Sequence, residues 1–252
     1  MISIIIPFKD KIELLAKCVF SVLEKTTYND YEIILVDNQS IENATKLFLK
    51  KIKNNPKIKI LSYNKPFNFS AINNFAVQYV EGEFVLFLNN DTEVISENWL
   101  TEMIKCFEDK KVGVVGAKLL YPNGTIQHCG VELDKKNVAI HSFYKMKEND
   151  LNVGKKIECQ AVTGACMLTR KKLFLNVDGF DEINLPIAYN DVDYCLKVGN
   201  LNLSIICISN IKLYHHESAS RKSDILARIF NKKRYKEFLR ERSYLKSKWK
   251  IS

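Results

Sequence analysis

The chain has 252 residues, 46% of them hydrophobic, enough for one substantial core with at most a smaller appended lobe. Its seven cysteines, Cys18, Cys106, Cys129, Cys159, Cys166, Cys195 and Cys207, form no CxxC pair, which excludes a zinc module and reads as reduced, mostly buried thiols of a cytoplasmic protein. The net charge of +9 belongs to residues 221–252, which hold 12 Lys and Arg against 3 Asp and Glu, so the first 220 residues are neutral and give no reason to expect a polyanionic partner.

In chain order, Ile2–Ile6 reads as a strand and not as the apolar core of a signal peptide. Asp10 and Glu13 predict a capped helix whose apolar face is Ile12, Leu15, Ala16, Val19, Phe20 and Leu23. Strands follow at Tyr31–Val36, Lys57–Leu61 and Glu83–Leu88, separated by helices over 41–53 and Ser70–Val80. Strands joined through single helices imply parallel βαβ units and a sheet covered on both faces. From Val112–Leu120 onward the alternation changes. Tyr121–Thr125 is a turn, 126–157 is polar and irregular, and Cys159–Thr169 is one strand. A short helix, a loop with Gly179, a helix from about Asp191 and two short strands, Leu203–Cys207 and Lys212–His215, complete the pattern. No apolar stretch nears the roughly 18 residues needed to cross a bilayer.

Parallel sheets bind ligands at the carboxyl ends of their strands. Three polar clusters lie there: Pro7-Phe8-Lys9-Asp10, Asp37-Asn38-Gln39-Ser40 and Asn89-Asn90-Asp91. Each is either ordinary turn chemistry or a set of carboxylates for a ribose, a base or a metal. Neither GxGxxG nor GxxxxGK[ST] occurs, so a nucleotide held here lacks a glycine-rich phosphate nest, and a divalent cation is the natural substitute. Asp191 stands near a helix N-terminus, as a cap or as a general base. His215 and His216, if extended, point to opposite sides, and imidazole suits a transition-type ion; a purely structural pair is the other reading.

Taken together, Ser3–Pro7, Val36–Ser40, Asn68–Asn74, Phe87–Val94, Ala161–Ala165, Gly179–Asp181, Tyr189–Cys195 and Tyr214–Arg221 resemble the family 2 glycosyltransferases of GT-A fold. The bacterial branch that builds O-antigen, rhamnan and other surface polysaccharides is the most similar. The resemblance implies an α/β, Rossmann-like fold with a nucleotide-sugar half over 1–111, a mixed acceptor half over 112–221 and a basic tail over 222–252. It also implies an inverting transfer of a hexose or deoxyhexose from a UDP- or dTDP-sugar onto a glycan or lipid-linked glycan acceptor.

By the same resemblance, Pro7, Lys9 and Asp37 line the nucleoside pocket with Asn38 and Ser40 beside them, and Asn68 and Asn74 line the donor cleft. Asn89-Asn90-Asp91 stands for the family's DxD, with Asp91 the direct ligand to Mn²⁺ or Mg²⁺ and a neutral carbonyl at Asn89. His215, with His216 second, completes the metal shell, and Arg221 pairs with a donor phosphate. Asp191 is the base. Gly164, Ala165, Asn190 and Asp193 belong to the acceptor side. A sugar nucleotidyltransferase is disfavoured, since no Gly-rich, Arg-containing loop follows the first strand, and a nucleic-acid module is disfavoured because the strands lack aromatic-basic interleaving. The tail over 225–252 predicts an amphipathic basic helix, either packed on the domain or resting on anionic lipid at the inner face of the plasma membrane.

Overall fold

The computed structural model describes residues 1–136, 138–150, 154–216 and 232–251. In chain order its elements are β1 (Ile2–Phe8), α1 (Ile12–Lys25), β2 (Tyr31–Asp37), α2 (Asn43–Ile52), β3 (Ile58–Ser62), α3 (Phe69–Val77), β4 (Phe84–Leu88), β5 (Thr92–Val94) and α4 (Trp99–Lys105). Then come β6 (Val112–Leu120), β7 (Ile126–His128), β8 (Val131–Asp134), β9 (Val138–His141), β10 (Lys156–Cys159), β11 (Cys166–Arg170), α5 (Lys171–Asn176), α6 (Asn190–Gly199), β12 (Ser204–His215) and α7 (Lys232–Lys248). One sheet runs β10-β12-β6-β11-β4-β1-β2-β3, with β5 added to β12 and β7 to β6. Its β4-β1-β2-β3 portion is parallel, and β11 enters antiparallel between β4 and β6.

Side-chain alternation gives this sheet two apolar faces. Ile4, Ile6, Leu35, Leu86 and Leu88 face α1 and α4 with Leu15, Val19, Trp99 and Met103. Ile5, Ile34, Val36 and Phe87 face Ile72 and Ala76 of α3, Phe174 of α5, and Tyr194 and Cys195 of α6. β1 is buried along its whole length, as a central strand must be.

Several local expectations are corrected. Asp10 does not cap α1, which begins after Lys11 in a left-handed conformation (φ 54°) with no side-chain cap. The Asp10 carboxylate instead accepts from the N–H groups of Ile41 and Glu42 at 2.9 Å each, fastening the loop after β1 to the start of α2. The described residues of 126–157 are irregular only in part: they supply β7, the β8–β9 hairpin and the first residues of β10. The strand expected over Cys159–Thr169 is two strands that pair on opposite sides of β6 and β12, joined by the turn through Thr163–Ala165. The two closing strands are one, β12, with an irregularity between Ile208 and Lys212.

The C-terminal helix packs on the same core. Leu245 and Ile251 are buried among the α6-side residues, Tyr189 stacks on Phe238 with ring centroids 5.6 Å apart, and the Tyr244 hydroxyl donates to Asp181 at 3.0 Å. Glu241, almost fully buried, accepts from the backbone N–H groups of Ile187 and Ala188. Asp193 was expected on the acceptor side. It is wholly buried and holds Trp249 Nε1 at 2.8 Å and Lys248 Nζ at 2.7 Å, so it reaches no solvent-facing substrate. Among the described residues, no helix is long and apolar enough to cross a membrane.

Two outcomes follow for stability. Asp193→Ala leaves the indole N–H unpaired and takes from Lys248 its nearer carboxylate, leaving it Asp181 at 3.8 Å, so the loss should be about 2 kcal/mol, below that of a fully buried pair; the urea midpoint measures it. His128 on β7 is held well below the ordinary imidazole range by burial, with His141 and His215 adding to the effect. An unfolded His takes a proton near pH 6.5 while the folded His128 does not, so its contribution is complete above that pH and declines below it by about 1.4 kcal/mol per unit. Melting temperatures of wild type and His128→Gln should therefore converge, or cross, as the pH is lowered from neutral.

Candidate active site

The end of β4 turns sharply. Asn89 O accepts from Thr92 Oγ1 at 2.8 Å and from Thr92 N at 3.2 Å, which closes Asn89-Asn90-Asp91 into a tight loop and starts β5. β5 then pairs antiparallel with the end of β12, placing Thr92 opposite His215 and Glu93 opposite Tyr214. This pairing brings together residues more than a hundred positions apart. His215 Nε2 lies 3.1 Å from Asp91 Oδ1 and 3.3 Å from Asn89 Nδ2, while His215 Nδ1 meets Gln127 Oε1 at 2.6 Å. His216 points away, to Glu93 Oε2 at 3.0 Å, and its backbone N–H donates to Asp91 O. The expected alternation is present, and His215 is the histidine that faces Asp91.

A carboxylate oxygen and an imidazole nitrogen facing each other at this separation form a donor pair that suits a divalent transition-type ion. Among the described residues no group of three His, Cys, Asp or Glu side chains is assembled for a metal, so an ion here would be held by Asp91 and His215, with the Asn89 amide beside them and non-protein oxygens for the rest. Asn90 is half-buried.

Asp191 lies in the first turn of α6, after Tyr189 in a left-handed conformation (φ 61°). Its Oδ1 accepts from Val192 N at 2.8 Å and its Oδ2 from Gly164 N at 2.9 Å. The next residue, Ala165, accepts through its carbonyl from Asn89 N at 3.1 Å. Asp191 and the Asn89–Asp91 loop thus hold consecutive residues of one turn. A Cβ on Gly164 would meet Phe69 at 3.5 Å and Asp191 Cβ at 3.6 Å, so what passes close to Gly164 is the Asp191 side chain and an aromatic ring, at ordinary contact distance.

On the nucleoside side, Pro7 is buried in β1 opposite Val36, Lys9 is exposed, and Asp37 is half-buried with Oδ1 on Ser40 N at 2.8 Å. Asn38 is buried and donates to the carbonyls of Tyr63 and Lys65, while Ser40 Oγ accepts from Asp10 N. These two residues shape the rim on which Lys9 and Asp37 stand. Asn68 caps α3 through Ala71 N and donates to Glu182 O; Asn74 brackets Phe180 through its N–H and carbonyl. Both asparagines therefore hold the 180–182 loop. Asn190, expected on the acceptor side, is buried with its amide toward Leu185 O. Arg221 lies outside the described residues. Gln127, in a segment that looked irregular, was not foreseen; no local pattern marks a residue whose role depends on pairing with β6.

The fold is shared with solved glycosyltransferases. GalNAc-T7, determined with UDP, GalNAc and Mn²⁺, superposes with a TM-score of 0.72 at 14% identity over 86% of this chain and 44% of that one. The mannosyltransferase PcManGT of Pyrobaculum calidifontis, in complex with GDP-Man and Mn²⁺, gives 0.67 at 14% identity over 95% and 62%. In sequence, the O-antigen biosynthesis protein RfbC of Myxococcus xanthus is 38% identical over 230 residues, 89% of this chain but only 18% of that protein. The model for "Glycosyl transferase family 2" matches residues 3–177, which include β1, the Asp37 rim, the Asn89–Asp91 loop and the Thr163–Ala165 turn. A sheet of this order, bearing those loops at its carboxyl ends and matched by the family over most of its length, belongs to glycosyl transferase family 2.

Proposed function

We propose that the chain transfers a sugar from a nucleotide-diphosphate donor to an acceptor hydroxyl with inversion, using Asp191 as the general base and a divalent cation held by Asp91 and His215. The observation that carries this reading is the Thr163–Ala165 turn, whose Gly164 N–H binds Asp191 and whose Ala165 carbonyl binds Asn89. It keeps a carboxylate and a candidate metal site as neighbours across one peptide.

Asp191 takes the acceptor hydroxyl proton on a carboxylate oriented by two backbone N–H groups. The freed oxygen bonds to the anomeric carbon as the bond from that carbon to the diphosphate oxygen breaks, and the electron pair leaves with the diphosphate. When bound, the cation supplies charge neutralisation to that leaving group. Inversion requires one base and no protein nucleophile, and among the described residues the neighbouring carboxylate of Asp193 is sealed under α7, away from Asp191. Lys9 and Asp37 meet the nucleoside of a UDP or dTDP donor, consistent with the UDP bound by GalNAc-T7, although PcManGT holds GDP-Man.

The similarity to an O-antigen biosynthesis protein supports a growing, lipid-linked bacterial surface glycan as the acceptor class. The apolar face of α7 is spent on the domain, which leaves Lys232, Lys233, Lys236, Arg240 and Lys246 exposed. Contact of these lysines and this arginine with an anionic inner leaflet would be electrostatic.

Three results test this. Asp191→Asn should lower kcat by about 10²–10⁴-fold, the usual worth of a general base, with an unchanged fold by circular dichroism. Thermal shifts with UDP, dTDP and GDP should show a Mn²⁺-dependent rise in wild type that Asp191→Asn keeps and Asp91→Ala loses; a ligand at a hundred times its Kd adds about 2.7 kcal/mol. Full transfer by Asp91→Ala would remove that side chain from the mechanism. Sedimentation with phosphatidylglycerol vesicles should be lost at high salt and absent with phosphatidylcholine.

A further inference from the structure

Gln127 is 5% exposed, and nothing in the reaction described above uses it. It sits where β7 departs from regular pairing with β6. Leu120 pairs with Ile126 and Leu119 with His128, so Gln127 is the extra residue of a bulge. Such an insertion re-aims a side chain that regular alternation would direct elsewhere. Here it aims the amide carbonyl at His215 Nδ1, 2.6 Å away.

The chemistry of that contact settles which ring nitrogen carries the proton. A carboxamide oxygen only accepts, so His215 Nδ1 donates and, in the neutral ring, Nε2 presents its lone pair. That lone pair faces Asp91 Oδ1 at 3.1 Å, with the Asn89 amide nitrogen at 3.3 Å as a donor. Two lone-pair atoms at this distance repel unless a positive charge lies between them. With the proton on Nε2 instead, the ring would donate to Asp91 and have nothing left for a cation.

We propose that Gln127 is a positioning residue that fixes His215 in the Nδ1–H tautomer and so keeps Nε2 and Asp91 available as a joint cation site. This inference rests on the metal reading given above, and the experiment separates the two. Gln127→Leu removes the acceptor at similar volume, and Gln127→Glu restores one.

The tautomer is read without metal, by long-range ¹H–¹⁵N correlation on histidine-labelled protein at one fixed pH alkaline of imidazole titration. His215 is identified among the four histidines by the signal lost in His215→Ala. Mn²⁺ affinity is read from the electron paramagnetic resonance signal of free Mn²⁺, with the ion alone and with UDP. Wild type and Gln127→Glu should show the Nδ1–H pattern and similar affinity. Gln127→Leu should move toward Nε2–H and bind Mn²⁺ about ten- to a hundredfold more weakly, the usual cost of losing a ligand's supporting hydrogen bond. An Nε2–H pattern in wild type, or wild-type Mn²⁺ affinity in Gln127→Leu beside lost affinity in His215→Ala, overturns the proposal. Should wild type show Nδ1–H yet bind no Mn²⁺ in either condition, the metal reading itself is overturned, and with it any metal role for Gln127.

Discussion

A hydrogen bond from the Gly164 N–H to the Asp191 carboxylate, beside one from Asn89 N to the Ala165 carbonyl, sets the geometry of the whole site. Backbone groups have little freedom once β11 is seated between β4 and β6, so the turn entering β11 is a rigid ruler. Asp191 at the mouth of α6 and Asp91 after β4 are drawn from separate layers of the fold. Tying each to an adjacent residue of that turn fixes their separation far better than flexible side chains on open loops would, and proximity of reacting groups depends on such fixing.

The Asp91 side of the site depends on a second constraint, the pairing of three-residue β5 with the last residues of β12. A strand this short contributes little by itself. Its register nonetheless decides that His215 faces inward and His216 outward, because a slip of one residue exchanges the two faces. The irregularity between Ile208 and Lys212 lets β12 keep its pairing with β6 at both ends while its final turn swings toward β5. Cys18 supports the same loop from below, with its thiol near Asn89 O and Thr92 Oγ1, and burial pushes that thiol up to about 12, where it stays protonated and inert.

Much of this was legible in the sequence, and for physical reasons. β1, β2 and β4 are uninterrupted apolar runs because both faces of a parallel sheet are buried, and their polar exits mark the ligand edge without reference to anything distant. What was illegible depends on partners far along the chain. β7 through β9 are only three or four residues long, too short to show a period of their own, and pair with β6 or with each other. Asp10 next to Glu13 has the look of a helix cap, but its carboxylate finds better donors thirty residues away. Asn38, Asn68 and Asn74 looked like ligand contacts because asparagine serves ligands and loops alike; the three-dimensional arrangement shows them holding backbone. Asp193 was misplaced because a carboxylate two residues from a base shares its sequence neighbourhood but, on a helix, points to another side.

The position of α7 extends the argument beyond the part of the chain that the family model matches, which ends at residue 177. The segment from Asp181 to Asp193 carries Asp191, yet its anchors are Glu241 on the Ile187 and Ala188 N–H groups, Tyr244 and Lys248 on Asp181, and Trp249 on Asp193. Burial raises the Glu241 carboxyl above its ordinary range even though two N–H groups oppose the shift, so this anchor is kept at an electrostatic cost. A helix held by such contacts is part of the catalytic domain in the mechanical sense. The same basic helix that looked like an appendage in composition thus keeps the tyrosine-led entry to α6, and with it the Asp191 carboxylate, in one place.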